Sequence, residues 1–279
     1  MKHERIVQGT IEMTNDYGNL ELHKVLLAAM KDFDAVCRKY KLCYILHGGT
    51  CLGAVRHNGF IPWDDDVDIA MLREDYEALI KIAPKEFGNR YRVYTYQTDP
   101  TIPAHVMKIY INNSDFRDND GNEAFLDIFA MSDVPNSRIG QIIQNKIAIF
   151  LNYIQNTKIG EIKTQTLKSK LVLGTLSRLP YGLLHFLIEW NIKHFPHGKS
   201  RFVDIVATAN YNNNTGYAWD LIPKSYMMQR VETEFEGEKF YITAFWDEYL
   251  KSHYGDYMMP PPIEKRTNKH GIAQRTVEG

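Results

Sequence analysis

Four aspartates fall within the five residues Asp64-Asp65-Asp66-Val67-Asp68, and the residues around them, Ile61, Pro62, Trp63, Val67 and Ile69, are apolar. A buried, uncompensated carboxylate is very costly, so a fold that packs this segment must bring a cation or protons to it. An EF-hand is excluded. Counted from Asp64, the sixth residue is Ile69 and the twelfth Asp75, where that loop needs glycine and glutamate. Val67 to Met71 reads as a strand. Alternation then puts Asp66 and Asp68 on one face, with Cα atoms roughly 6.6 Å apart, and turns Val67 and Ile69 to the other. Two carboxylates so placed suit Mg2+, or Mn2+, with coordination positions left open for phosphate.

Two further features belong with this pair. Upstream, Gly48-Gly49-Thr50 lies between a short apolar strand, Leu42 to His47, and a short helix running through Arg56 that Thr50 is expected to cap. Glycines there let backbone approach a phosphate, and the helix start offers free N–H groups. Downstream, Asp127 is the lone acid in Phe125-Leu126-Asp127-Ile128-Phe129, a third carboxylate suited to act as base or metal ligand. Gly-Gly-Thr followed by Asp-x-Asp is the order of the nucleotidyltransferase superfamily. No G-x-x-x-x-G-K-[ST] loop is present, which argues against a P-loop kinase.

The remaining elements fit one α/β (α+β) unit: a mixed sheet flanked by helices, with a helical insertion. Leu22, Leu26, Met30, Phe33, Val36 or Cys37, and Tyr40 mark an amphipathic helix over Leu20 to Tyr40. Glu74 to Ala83 reads as a helix stopped by Pro84. Strands are expected at Tyr91 to Gln97, His105 to Ile111 and Phe125 to Met131, a hairpin at Glu232 to Thr243 turning at Gly237, and a helix at Ala244 to Tyr254. We expect a core over 1–137, a basic helical insertion over 138–209 with helices near Ile139 to Ile154 and Gly182 to His194, and a return to the core over 210–279.

Charge is uneven. Arg138 to Arg201 holds ten basic and two acidic residues, while the whole chain has net charge -1. The overall balance excludes a nucleic-acid-coating protein, and no nucleic-acid partner is expected. The basic segment, including Lys163, Lys168 and Lys170, suggests an anionic partner. No run of about 18 apolar residues occurs, the N-terminal stretch lacks a secretory pattern, and Cys37, Cys43 and Cys51 form no C-x-x-C; Cys43 and Cys51 are expected to be buried thiols. A cytoplasmic protein is expected.

The segments Gly48-Gly49-Thr50-Cys51-Leu52-Gly53-Ala54-Val55-Arg56-His57 and Gly59-Phe60-Ile61-Pro62-Trp63-Asp64-Asp65-Asp66-Val67-Asp68 resemble the LicD family, which includes fukutin and fukutin-related protein. Asp75-Tyr76, Asp127-Ile128-Phe129, Tyr254-Gly255-Asp256-Tyr257 with the prolines after it, and Arg266 with His270 extend the resemblance over nearly the whole chain. Cys51 and Ala130 stand where the family usually has Leu and Pro. The resemblance implies a metal-dependent transferase moving phosphocholine from CDP-choline, or another phosphoalcohol from a similar CDP-alcohol, to a sugar hydroxyl of a bacterial surface glycan, such as a lipopolysaccharide or a teichoic acid precursor. Asp66 and Asp68 would hold Mg2+, and Asp127 would serve as base and further ligand. Gly48, Gly49, Thr50, Arg56 and Lys108 would meet donor phosphate. Asp64 and Asp65 would support the pair, and Arg266 and His270 would close over it. Trp63, Tyr76, Trp219 and Trp246 are possible walls for a choline head group. A lipid-linked glycan acceptor would bring the basic helices to the anionic inner face of a membrane. A nucleotidyltransferase and a DXD glycosyltransferase remain alternatives, the second disfavoured by Gly-Gly-Thr. Intact Asp66, Asp68 and Asp127 argue against an inert scaffold.

Overall fold

The amphipathic segment forms helix α1, Leu20–Tyr40, which buries Leu22, Leu26, Met30 and Phe33 on one face and stops at Lys41 in the left-handed conformation (φ 56°). The structure is a computed structural model and describes residues 17–103, 105–159, 174–195, 199–206 and 220–275. Tyr40, expected on the buried face, is exposed at the helix end, and its hydroxyl donates to Glu86. After α1 come β1 (Tyr44–Leu46), α2 (Gly48–His57), β2 (Asp68–Leu72), α3 (Arg73–Glu86), β3 (Tyr91–Tyr94), β4 (Val106–Ile111), β5 (Phe116–Arg117) and β6 (Phe125–Val134). The later elements are α4 (Arg138–Ile159), α5 (Tyr181–His194), β7 (Phe202–Asp204), β8 (Ile222–Pro223), α6 (Lys224–Met228), β9 (Arg230–Phe235), β10 (Glu238–Thr243), α7 (Trp246–Tyr254) and β11 (Ala273–Gln274).

The main sheet is mixed and flanked by helices. Its strands run in the order β1-β2-β6-β4-β3; β2 and β6 are parallel, while the β1–β2, β6–β4 and β4–β3 pairs are antiparallel. β6 runs three residues beyond the expected Met131, because Ser132, Asp133 and Val134 pair with β7. α3 continues two residues past Pro84, whose missing N–H removes only one hydrogen bond next to the helix end. The hairpin turns through Glu236 and Gly237, both at positive φ, as a two-residue turn between right-twisted strands requires. Cys37, Cys43 and Cys51 are free; Cys43 is only half-buried, against the expectation.

Among the described residues the packing gives two apolar clusters. The larger joins α1, α2 and α3 to the sheet through residues such as Phe33, Tyr76, Ile128 and Tyr249. The smaller lies beneath α4 and α5, where Leu151, Ile154, Leu184 and Ile188 pack with Val134 and Val206. Lys163, Lys168 and Lys170 lie outside the described residues.

Candidate active site

Strand register sets one row of the site. Asp127 on β6 is opposite Asp68 on β2 and opposite Lys108 on β4. Lys108 Nζ lies 2.8 and 3.0 Å from the two Asp127 carboxylate oxygens and 3.7 Å from the centre of the Phe125 ring. Lys108 therefore serves Asp127 here rather than standing free for donor phosphate. Burial pushes the Asp127 carboxyl above its usual range, and the Lys108 ammonium opposes that shift.

The acid loop departs from the strand geometry expected for it. β2 opens only at Asp68, so Asp66 lies in the preceding loop and does not share a strand face with Asp68. The loop is tied from both sides. Asn19 Nδ2 donates to the carbonyls of Pro62 and Asp64 at 3.2 and 3.3 Å, and His23 Nε2 lies 2.7 Å from the Asp64 carbonyl. From the other side, a strap over residues 269–272 is fastened by Asp65, whose carboxylate accepts the backbone N–H groups of Lys269, His270 and Ile272 at 2.9 to 3.3 Å. Asp65 is thus chiefly an anchor for the strap. His270 reaches Asp66, with Nε2 2.9 Å from Oδ2. Arg266 instead donates to the Pro261 carbonyl and lies 4.8 Å above the Trp63 ring.

The electrostatics of the loop follow from this packing. Burial, then the charge of Asp66, pushes Asp64 up to about 8, and a hydrogen bond with Asp66 keeps the proton on Asp64. Burial and Asp66 likewise hold Asp68 well above the usual carboxylate range, with Asp127 adding to the effect. Asp66 goes the other way: burial raises it, but His270 and the Lys269 ammonium together hold it below its ordinary value. Carboxylate oxygens of Asp64, Asp65 and Asp66 come within 4.8 Å of one another. An all-oxygen set in which Asp64 holds a proton suits a hard divalent cation, which would displace it.

The glycine turn is shaped around these acids. A Cβ on Gly48 would lie 3.0 Å from Asp68 Oδ2, and one on Gly49 would lie 2.8 Å from Asp64 Oδ2; Gly48 also has φ +50°. Helix α2 starts at Gly48 with His47 as its N-cap, so Thr50 is not the cap. Its hydroxyl accepts the Asp68 N–H at 2.9 Å and joins the turn to β2. The Gly48 N–H donates to Tyr249 Oη at 3.0 Å, and that hydroxyl lies 2.8 Å from His47 Nδ1. Gly48 therefore has its amide engaged within the protein, whereas Gly49 lines a cavity of about 380 Å³. Arg56, Trp63, Asp64, Tyr254, Asp256, Tyr257, Lys265 and Lys269 also line it. Of the other aromatics expected at a choline pocket, Tyr76 is core, Trp246 opens α7, and Trp219 lies outside the described residues.

Residues 41–160 match the family described as LicD/FKTN/FKRP, nucleotidyltransferase domain. Over 256 residues the chain is 30% identical to the lipopolysaccharide cholinephosphotransferase LicD of Haemophilus influenzae, covering 90% of this chain and 95% of that relative. The chain belongs to the LicD family. Membership makes it a transferase. An uncharacterized protein of Rickettsia prowazekii is 45% identical over 60 residues, 22% of this chain and 23% of its own length.

In this LicD-family chain, several residues that shape the site stayed hidden in the sequence. Lys269 is the cation set against Asp66, Asp68, Asp64 and Asp65, which raise its pKa although burial opposes them. Tyr254 lines the cavity, and burial with the nearby Asp68 and Asp64 raises its hydroxyl pKa. The adjacency of Lys269 to His270, and the place of Tyr254 in the Tyr-Gly-Asp-Tyr segment, were the signals available. Nothing local pointed to Tyr249 and His47.

Proposed function

We propose that this chain transfers phosphocholine from CDP-choline to a hydroxyl of a lipopolysaccharide-type surface glycan. The observation that carries the reading is the cluster of Asp64, Asp66 and Asp68 with Asp127 against the glycine turn, with Asp64 and Gly49 also lining a cavity whose walls are both aromatic and charged. The lipopolysaccharide acceptor and the phosphocholine group come from the Haemophilus relative. Tyr254 and Tyr257, with Asp256, give the kind of lining that a quaternary ammonium takes.

Asp64, Asp66 and Asp68 are the residues that would hold Mg2+ or Mn2+, an ion that when bound neutralises charge on the donor diphosphate. Arg56, Lys265 and Lys269 bring positive charge to the same cavity. Gly49 brings backbone close to it without a side chain. Asp127, oriented by Lys108, takes the proton of the acceptor hydroxyl as its oxygen bonds to the phosphocholine phosphorus. The bond from that phosphorus to the bridging oxygen breaks, and CMP leaves. Positioning and charge neutralisation supply most of the rate. The three free cysteines suit a reducing, cytoplasmic setting.

The test is CMP release from CDP-choline, CDP-ethanolamine, CDP-glycerol and CDP-ribitol with a glycan acceptor, with and without a chelator. Mass analysis of the product shows which half of the donor was transferred. Preference for another donor moves the assignment to that phosphoalcohol, transfer of CMP makes the protein a nucleotidyltransferase, and chelator-resistant turnover removes the metal.

A further inference from the structure

Helices α4 and α5 are joined on their buried sides. Gln144 Nε2 donates to the Asn191 carbonyl at 3.3 Å, and Asn191 Nδ2 donates to the Gln144 carbonyl at 3.2 Å. Ala148, Leu151 and Ile154 of α4 and Leu184, Ile188 and Ile192 of α5 fill the space beneath. The opposite faces would ordinarily be polar. They are not. On α4, Ile139, Ile143, Phe150 and Tyr153 recur at helical spacing and are 73%, 50%, 48% and 49% exposed. On α5, Leu183, Phe186 and Trp190 are 45%, 61% and 46% exposed. Two such rows within one helical pair exceed the scattered apolar residues of an ordinary surface and mark an interaction face.

Charge identifies the partner. α4 carries Arg138, Lys146 and Lys158 and no acid. Exposed Lys146 stands in the same helical row as Ile143 and Phe150. α5 carries Lys193, and its one acid, Glu189, is already paired with Arg73 and Lys193. Aromatic and aliphatic side chains interleaved with cations suit the headgroup region of an anionic bilayer. A second copy docking through the same face would set like charges against each other. No helix among the described residues is long and apolar enough to cross a membrane.

We propose that α4 and α5 form a peripheral docking face for an anionic lipid surface, with Phe150, Phe186 and Trp190 entering the headgroup layer and Lys146, in the row of Ile143 and Phe150, meeting lipid phosphates. The inference does not rest on the donor or acceptor proposed above.

The test uses the full chain and two kinds of vesicle, phosphatidylcholine alone and phosphatidylcholine mixed with phosphatidylglycerol. The wild type is expected to sediment with the mixed vesicles at low salt, to be released at high salt, and to ignore phosphatidylcholine alone. Phe186→Ser with Trp190→Ser, and separately Ile143→Ser with Phe150→Ser, should each weaken binding at least about tenfold while leaving the melting temperature near that of wild type. Brominated lipid should quench the wild type more than Trp190→Phe, a readout that needs no destabilising change. Failure of the wild type to sediment with mixed vesicles at low salt overturns the proposal. Equal binding by the variants, or equal binding to the uncharged vesicles, overturns it too. A dimer in solution that the same variants dissolve would assign the face to a second copy instead.

Discussion

The Tyr249 hydroxyl accepts the Gly48 amide at 3.0 Å and so holds the first residue of the glycine turn from a helix some 200 residues away. The same oxygen lies 2.8 Å from His47 Nδ1, and His47 Nε2 lies 3.2 Å from Asp220 Oδ1. All three side chains are buried. A Tyr249 proton given to Nδ1 and a His47 proton on Nε2 facing Asp220 satisfy the chain from end to end. Tyr249→Phe leaves a buried amide and a buried ring nitrogen without partners, a loss of about 1–3 kcal/mol. Denaturant unfolding should show it, together with slower CMP release as the turn loosens. Unchanged stability would mean that the hydroxyl is dispensable.

Asp66→Asn and Asp68→Asn should each reduce turnover below about a tenth of wild type, as loss of a metal-holding carboxylate does. Their effects on stability in chelator should differ in sign. Asp68 is buried against Asp66 and Asp127, so its neutral replacement should raise the melting temperature. Asp66 accepts from His270, so its replacement should lower it. Substantial activity in either variant would sink the assignment of that residue.

Asp127→Asn should slow transfer by about 10²–10⁴-fold with little change in donor affinity, the pattern of a lost general base. Donor binding by calorimetry, set beside single-turnover rates, separates this from a ligand role. If affinity and metal occupancy collapse together, Asp127 is chiefly a ligand.

Stability in chelator should fall as the pH rises. Asp64 titrates near 4 when unfolded and is pushed up to about 8 by burial when folded. A carboxyl raised in the folded state favours folding below its unfolded pKa, and that contribution is lost as pH climbs through the folded one. Melting temperatures measured with chelator should therefore decline between about pH 4 and pH 8. Added Mg2+ should restore more at pH 8 than at pH 5. A flat profile would show that Asp64 is not held protonated.

Asp65→Ala removes the acceptor of three backbone N–H groups at once. We expect a loss of about 1–3 kcal/mol or more, and protease sensitivity around residues 266–272 before the sheet unfolds. Limited proteolysis with mass detection reads the order of cleavage. Simultaneous cleavage throughout would show that the strap has no separate attachment.

Much of the fold was legible because it is local. Leu22, Leu26, Met30 and Phe33 announce α1 by spacing alone, and Gly237 marks the hairpin. Element ends were less legible, since β6 is lengthened by a strand about 70 residues later. The four acids and the glycine turn were also visible as a group, but their geometry was not. A strand pattern places Asp66 beside Asp68, whereas the chain turns Asp66 toward His270, a partner 204 residues distant. The Lys108–Asp127 pair required knowing that β4 lies next to β6 and in which register. Period and propensity carry neither fact.

The Asp65 fastening also sets an order of events during synthesis. The acid loop and its glycine turn leave the ribosome long before Lys269, His270 and Ile272, which lie 204, 205 and 207 residues beyond Asp65. At about 5–20 residues per second, that interval lasts roughly 10–40 s. Throughout it the nascent chain carries a cluster of carboxylates with neither His270 nor Lys269 to offset their charge. Any divalent ion bound in that interval would be seated before the strap arrives, so the finished site would close over an ion already present.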